Sequence, residues 1–210
     1  MIITRLIVGP LETNCYILAN EENDALIIDP GDEGERIVSE LDKSKPSAIL
    51  LTHGHYDHIG AVNFLADKLE IPIYAGQNEI EMLVDPDMNF SSMFAKPISV
   101  RAKPISQSIL NELGFQKLRI IELPGHTLGS IGVVGDDFLI SGDTVFAGGG
   151  IGRTDLPHSD IRKLVESVNK ILELPDDLIL YPGHGGRSLL RREKFLWRQT
   201  IKLLDEGLLE

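Results

Sequence analysis

Apolar residues along the chain fall into short runs, each broken by glycine, proline or acidic residues, with stretches of helical spacing between them. Residues 2–8 and 13–20 read as two strands joined by the turn Gly9-Pro10-Leu11-Glu12, a hairpin. Ala25-Leu26-Ile27-Ile28 is a third strand, stopped at Asp29-Pro30-Gly31-Asp32 because proline and glycine break the run. Residues 34–43 place Ile37, Val38 and Leu41 on one side and charges on the other, which predicts a helix. Ala48-Ile49-Leu50-Leu51-Thr52 is short, branched and apolar, the mark of a buried strand. Ile59, Val62, Leu65, Ala66 and Leu69 recur at three- and four-residue steps and predict a helix over 58–69. A short strand at 71–74 and a short helix at 77–84 follow.

The segment 85–110 has no clear period and contains Pro86, Pro97 and Pro104. It reads as a long loop or loose hairpin, serving either as a lid over a site or as a surface insertion. The strand pattern resumes at 117–123, 131–134 and 138–140, the last two joined by the hairpin signal Gly135-Asp136-Asp137. A helix over 160–173 starts where Ser159 or Asp160 can cap it. A strand at 178–181 and a helix at 188–206 end the chain. Both halves repeat one plan: strands, a helix, then a strand that leads into a loop of metal-ligand residue types. That order predicts two packed sheets flanked by helices in one domain, 1–210, rather than a doubly wound parallel sheet.

Composition narrows the function classes. With 210 residues, 42% of them hydrophobic, the chain can bury a full core. A formal net charge of -12 argues against nucleic acid or an anionic membrane surface as the partner. The N-terminus lacks the features of a signal peptide, and no apolar run reaches membrane-spanning length, so a cytoplasmic location is expected. Cys15 is the only cysteine, which removes both an intrachain disulfide and a thiolate-rich zinc site.

The chemistry begins at His53-Gly54-His55-Tyr56-Asp57-His58, directly after the 48–52 strand. Neutral imidazole and carboxylate are ligands for zinc, iron and manganese, and a loop leaving a strand end can bring several of them to one point. Three more candidates follow strands and a glycine: His126 in Pro124-Gly125-His126, Asp143 in Ser141-Gly142-Asp143, and His184 in Pro182-Gly183-His184. Glycine frees the backbone to turn sharply at such points. Seven ligands exceed what one catalytic zinc takes, and they suit two ions. His53, His55 and His126 are expected to hold one, and Asp57, His58 and His184 the other, with Asp143 as the bridge. Asp57 and Asp143 are thereby the expected catalytic carboxylates. Two such ions can share a hydroxide, so metal-assisted hydrolysis needs no serine or cysteine nucleophile.

His53-Gly-His-Tyr-Asp57-His58, followed in order by Gly125-His126, Gly142-Asp143 and Gly183-His184, resembles the metallo-β-lactamase superfamily. The resemblance runs from Gly9-Pro10-Leu11-Glu12-Thr13-Asn14-Cys15-Tyr16 to the last strand. It implies a four-layer αββα sandwich, with the site at one edge between the sheets. Asp143 stands where the best-known β-lactamase subclass has a cysteine ligand, so antibiotic hydrolysis is not expected. The bridging aspartate and Ile151-Gly152-Arg153-Thr154-Asp155-Leu156-Pro157 are similar to small glyoxalase II-like hydrolases, which cleave thioesters. The chain ends before the glutathione-gripping helical extension of full-length glyoxalase II. The Gly-Arg-Thr-Asp element also occurs in the related persulfide dioxygenases. Those hold one iron at positions matching His53, His126 and Asp143.

The expectation is thus a hydroxyacylglutathione hydrolase-like thioesterase with two divalent ions, zinc first and iron or manganese as alternatives. Its substrate is expected to be a small anionic thioester. An iron-dependent persulfide dioxygenase and a metal-stabilised binding protein are the rival readings. Arg153 can pin a substrate carboxylate or anchor its loop by pairing with Asp155. His158, outside the ligand pattern, reads as a rim residue. Asp29 is expected either to hydrogen-bond a ligand histidine or to cap a turn, and Thr52 and Thr144 are further supports for the ligands. Gly148–Gly152 lacks the following Lys-Ser/Thr of a phosphate loop and reads as a turn beside the site. The basic run Arg187–Lys202 reads as a solvated helix face or an anion patch. Leu189, Leu190, Leu196, Leu203 and Leu204 give that helix an apolar side for the core or for a homodimer.

Overall fold

A computed structural model describes every residue except Lys43, Ala95, Gly207, Leu209 and Glu210. The first sheet is ordered β1 (Ile2–Val8), β2 (Thr13–Ala19), β3 (Asp24–Ile28), β4 (Lys45–Leu51), β5 (Ile73–Ala75) and β6 (Lys103–Pro104). β1 to β3 pair antiparallel, and β3 to β6 pair parallel. The second sheet is ordered β7 (Arg119–Glu122), β8 (Ile131–Val134), β9 (Phe138–Gly142), β10 (Ile179–Pro182) and β11 (Ser188–Leu189). The helices are α1 (Gly34–Glu40), α2 (Tyr56–Ile59), α3 (Val62–Leu69), α4 (Ile80–Val84), α5 (Ser91–Phe94), α6 (Gln107–Glu112), α7 (Ile161–Leu172) and α8 (Leu190–Asp205).

Period-two geometry explains why the buried stretches of the central strands are apolar at successive positions. Cys15, Ile17, Ala25, Ile27, Ile49 and Leu51 pack outward, in one core with Ile37 of α1 and Val62 and Leu65 of α3. Their neighbours Tyr16, Leu18, Leu26, Ile28 and Leu50 face the other way, against Val133, Phe138 and Ile140 of the second sheet. Leu139 and Leu180, on the far side of that sheet, meet Leu164 and Val168 of α7 and Trp197 of α8. Strands covered on both faces read as continuous apolar runs, and the result is the expected αββα sandwich. Burying each such side chain contributes roughly 1.5–3 kcal/mol, so the layers hold the strand ends rigidly in place.

Those ends converge at one edge. β9 and β10 run parallel, so Asp143 and His184 leave the same edge of their sheet just past the strand ends. Ile131 N–H donates to the Thr52 carbonyl at 2.9 Å, and Asn14 N–H donates to the Gly183 carbonyl at 2.7 Å. These two bonds stitch the sheets together beside the metal-type loops.

Several boundaries differ from the sequence expectation for physical reasons. The helix expected over 58–69 is two helices, α2 and α3. The chain docks on the Pro30-Gly31 turn there, where Ala61 N–H donates to the Pro30 carbonyl at 3.0 Å. The helix expected over 34–43 ends at Glu40, and Lys43 lies outside the described residues. The short helix expected at 77–84 starts as a 3₁₀ turn, Gln77–Glu79, before α4. The segment 85–110 is no structureless loop: it contains α5, β6 and α6, with Ala95 outside the described residues. The fully buried Asn89 organises it, its amide donating to the Ile98 carbonyl at 2.9 Å. Asp160, not Ser159, caps α7, accepting from Arg162 N–H at 2.9 Å and Lys163 N–H at 3.2 Å. Ser188 and Leu189 leave the last helix to form β11.

Candidate metal centre

Potential ligand atoms gather at the sheet edge in three overlapping groups, one of which, Asp29, His53 and His58, spans the other two. His53, His55 and His126 bring one nitrogen each within 4.8 Å of one another, and all three residues are buried. Asp57, His58 and His184 form a second group by the same measure. Asp143 stands between them, with Oδ1 3.6 Å from His58 Nε2 and Oδ2 3.7 Å from His126 Nε2 and 3.5 Å from His184 Nε2. All seven sequence candidates therefore meet at one place. His53 Nε2 and Asp143 Oδ1 are buried with no hydrogen-bond partner. Orphaned acceptors at such a spot fit a divalent cation, and the His/Asp clusters suit a dinuclear site.

Outer contacts set which ring nitrogen faces inward. A carbonyl only accepts, so His126 Nδ1–H donates to the Arg153 carbonyl at 3.0 Å and His184 Nδ1–H to the Leu11 carbonyl at 3.0 Å. His126 Nε2 is thus left as a lone pair toward the cluster, and His184 Nε2 is turned to the Asp57 and Asp143 carboxylates, 3.1 and 3.5 Å away. His58 Nδ1 lies 3.1 Å from Asp29 Oδ2, and the same oxygen accepts the Thr52 hydroxyl at 2.6 Å. Thr52 Oγ1 in turn lies 3.1 Å from His53 Nδ1. Asp29 thereby orients a histidine of each group, and Asp29 and Thr52 have the supporting role expected of them. The backbone of Asp29 is left-handed, with φ 51°, a conformation that costs energy outside glycine and here aims the carboxylate inward. Thr144 does not act this way, because its buried hydroxyl has no partner.

Two glycines are required by space. Gly142 has φ +51°, and a Cβ there would overlap the Thr52 hydroxyl. A Cβ at Gly183 would overlap Asp143 Oδ1, so only glycine lets the His184 loop pass that carboxylate.

The electrostatics divide the two groups. Burial holds His53 well below the ordinary imidazole value, with the neighbouring histidines adding to it, and lowers His55 to about 3. His126 is also lowered, mainly by burial. These three are neutral, the form that binds metal. His58 is pushed down by burial but outweighed by the Asp57 and Asp143 charges and by Asp29, and it rises to about 9. His184 rises to about 10, because its hydrogen bonds to Asp143 and Asp57 and their charges exceed the burial penalty. Burial alone would raise the Asp57 and Asp143 carboxyls, yet the charge of His58 and the bonds and charge of His184 hold both below the ordinary range. A cation entering among Asp57, His58 and His184 must displace protons.

The site opens into a cavity of about 610 Å³ that reaches His55, His126, Asp143 and His184. Arg153 lines it, but its guanidinium is engaged by Asp155 through Nε and Nη2 at 2.7 and 2.6 Å. The loop-anchoring reading of Arg153 is the one the geometry forms. Its backbone carbonyl serves the site by holding His126. His158 is exposed with φ 68° and belongs to neither group. The Gly148–Gly152 turn wraps a carboxylate of the chain itself: Glu193 accepts from Gly148 and Gly149 N–H at 2.7 and 3.1 Å. The basic run is not one continuous patch, because Lys194 is buried against Asp176 at 2.5 Å. Leu190 and Trp197 of that helix pack in the core.

Three supporting residues escape sequence reasoning. Thr13 Oγ1 donates to Asp57 Oδ2 at 3.0 Å. The fully buried Asn14 donates its amide to the Pro182 and Gly185 carbonyls at 2.9 and 3.0 Å, bracketing His184. Buried Glu79 accepts Gly54 N–H at 2.7 Å, the Thr127 hydroxyl at 2.8 Å and Gly129 N–H at 2.9 Å. Thr13 and Asn14 lie within the stretch 9–16 that carries the family resemblance. Glu79 leaves no local signal, since its partners are 25 to 50 residues away.

Comparison with known proteins agrees with this geometry. The metallo-beta-lactamase superfamily model matches residues 8–184, and the chain belongs to that superfamily. The metallo-hydrolase YqgX of Bacillus subtilis, named as probable, is 41% identical over 194 residues, covering 88% of this chain and 90% of its own. The hydroxyacylglutathione hydrolase GloC of Haemophilus influenzae is 34% identical, covering 89% and 92%. Among solved structures, BLEG-1 B3 metallo-beta-lactamase superposes with a TM-score of 0.84 at 35% identity, covering 93% of this chain and 99% of its own. TTHA1623 in a di-iron-bound form superposes at 0.78 with 30% identity, covering 90% and 95%. Among the described residues, no helix is long and apolar enough to cross a membrane.

Proposed function

We propose that the protein is a cytoplasmic dinuclear metallohydrolase acting on a thioester. The observation that carries this reading is the position of Asp143, within 3.5–3.7 Å of imidazoles from both ligand groups. In this reading His53, His55 and His126 hold one divalent ion, Asp57, His58 and His184 hold the other, and Asp143 is shared. Zinc, iron and manganese all accept such ligands, and zinc is our first choice. Ions bound there would supply Lewis-acid chemistry, lowering the pKa of water toward neutrality and polarising a carbonyl.

The chain's own residues do the positioning. Thr13 fixes the carboxylate of Asp57, Asp29 and Thr52 fix His58 and His53, and carbonyls of Arg153 and Leu11 fix His126 and His184. The cavity lining has no serine or cysteine among the described residues. Cys15 lies in the core of the first sheet, where burial pushes its thiol up, so it is no nucleophile. A nucleophile derived from water follows. The thioester choice draws support from the similarity to GloC, and the two-metal choice from the di-iron neighbour.

The test is a substrate panel run on zinc-, iron- and manganese-loaded protein. It contains thioesters that include S-lactoylglutathione, a lactone, a β-lactam, a phosphodiester, and glutathione persulfide with oxygen uptake monitored. Chelator-sensitive thioester turnover is expected. Oxygen uptake with the persulfide by the iron form, without thioester turnover, would overturn the proposal in favour of a dioxygenase. Turnover of the β-lactam alone would overturn the thioester assignment.

A further inference from the structure

The walls of the metal-side cavity carry information about the substrate that the ligands do not. Leu11, Tyr56, Phe90, Met93, Phe94 and Leu156 are among the residues that line it. Met93 and Phe94, from α5, are 69% and 65% exposed, and Leu11 at the β1–β2 turn is 49% exposed. Large apolar side chains this open, gathered at the mouth of a polar site, mark a surface that a ligand covers. Their placement is ordered. The Phe94 ring stacks on Tyr56 with centroids 5.2 Å apart and an 18° interplanar angle, and Phe90 lies against His55 at 5.5 Å. Tyr56 N–H donates to the Asn89 carbonyl at 2.9 Å, which locks the start of α2 to the segment that carries Phe90, Met93 and Phe94.

Charge points the same way. Among the described residues lining the cavity, Arg153 is the only lysine or arginine, and its guanidinium is held by Asp155. Lys96 does not line this cavity but an adjoining groove that shares Leu11, Tyr56, Asp57 and Phe94 with it. A net charge of -12 adds a long-range field that disfavours anions. A carrier with free carboxylates, such as glutathione, finds no unpaired guanidinium or ammonium in this cavity.

We infer that the substrate presents an uncharged, apolar group to the wall formed by Leu11, Tyr56, Phe90, Met93, Phe94 and Leu156, with its reacting carbonyl turned toward His55, His126, Asp143 and His184. This rests on the hydrolase reading and replaces the anionic thioester expected from the sequence with an apolar one. Met93 and Phe94 are the specificity-determining residues. A hydrocarbon acyl chain or an aromatic acyl group meets the requirement, and the lactoyl group of S-lactoylglutathione does not.

Binding of thioethers, which cannot be hydrolysed, separates this inference from the hydrolase reading. The S-methyl, S-butyl and S-hexyl thioethers of N-acetylcysteamine, and S-methylglutathione, are titrated calorimetrically into zinc-loaded protein. Affinity is expected to rise about three- to fourfold for each added methylene until the wall is covered. S-methylglutathione is expected to bind no tighter than the S-methyl derivative of the neutral thiol. Phe94→Asp is expected to weaken the hexyl ligand about tenfold, and its thermal melt serves as the fold control because the side chain is exposed. A flat chain-length series, or a glutathione thioether more than tenfold tighter, overturns the inference and leaves the hydrolase reading standing. An unchanged hexyl affinity in Phe94→Asp overturns the assignment of the wall. Loss of all thioester turnover in the substrate panel would instead remove the hydrolase reading.

Discussion

The buried carboxylate of Glu79 accepts the Thr127 hydroxyl at 2.8 Å and so ties the loop of His126 to the loop of His53 and His55, whose Gly54 N–H it also accepts at 2.7 Å. One side chain thus holds together the two loops that carry His53, His55 and His126. Glu79→Ala strands two backbone donors in the interior, Gly54 N–H and Gly129 N–H, while the Thr127 hydroxyl keeps Ser130 Oγ at 2.6 Å. It should cost on the order of 3 kcal/mol, measured by denaturant unfolding, since each unsatisfied buried group costs about 1–3 kcal/mol. It should also weaken the first metal more than the second, read by competition with a chromogenic chelator.

Glu79 also gives the fold a pH signature. Burial raises its carboxyl to about 7 from 4.5, more than its three hydrogen bonds lower it. The folded state therefore holds this proton more tightly than the unfolded chain. The stabilisation is complete below pH 4.5 and is lost as the pH rises through about 7. In wild type, but not in Glu79→Gln, stability should fall by about 3 kcal/mol across that window. Denaturant midpoints of the two proteins at matched pH values measure the difference.

Asp29 supports His58 directly and His53 through Thr52. Asp29→Asn keeps the shape but removes the charge that favours the donating imidazole. Metal affinity should fall about 10- to 100-fold, as it does when such partners are removed elsewhere. Chelator competition on a protein of unchanged circular dichroism checks this.

The second group carries protons that metal must displace. The Asp57 and Asp143 carboxylates outweigh burial and raise His58 to about 9 and His184 to about 10, so we expect the metal-free pair to hold protons at pH 7. Zinc uptake by this group should release about two protons per chain. Titration calorimetry in buffers of different ionisation enthalpy counts them. His184→Ala should lower the count by about one.

Gly183→Ala places a methyl group against the Asp143 carboxylate. We expect the variant to fold, to lose the shared metal geometry and to lose more than about 100-fold in kcat/KM, a cost typical of small misplacements at a reacting centre. Gly185→Ala, two residues on and with nothing near its Cβ position, is the comparison, though its φ of +75° carries some strain.

Much of the fold was legible because the layers impose a simple pattern. The later residues of β2, β3 and β4 are buried on both faces and therefore read as apolar runs: Cys15–Ala19, Ala25–Ile28 and Ala48–Leu51. The convergence of the candidate ligands was legible because each follows such a run, and His126, Asp143 and His184 each follow a glycine. What escaped depends on partners far along the chain. The break between α2 and α3 is set by the Pro30 carbonyl, and the order of 85–110 by the buried amide of Asn89. Glu79 and Asn14 carry no spacing signature, since their partners lie in other loops. Arg153 reads alike as a clamp or an anchor until the position of Asp155 is known.

The dinuclear reading is tested most directly by counting metal. Protein stripped with chelator, loaded with excess zinc and passed over a desalting column should retain two ions per chain by elemental analysis, and Asp143→Ala should lose metal and activity together. One ion or fewer in the wild type, or both ions and full activity in Asp143→Ala, would contradict it.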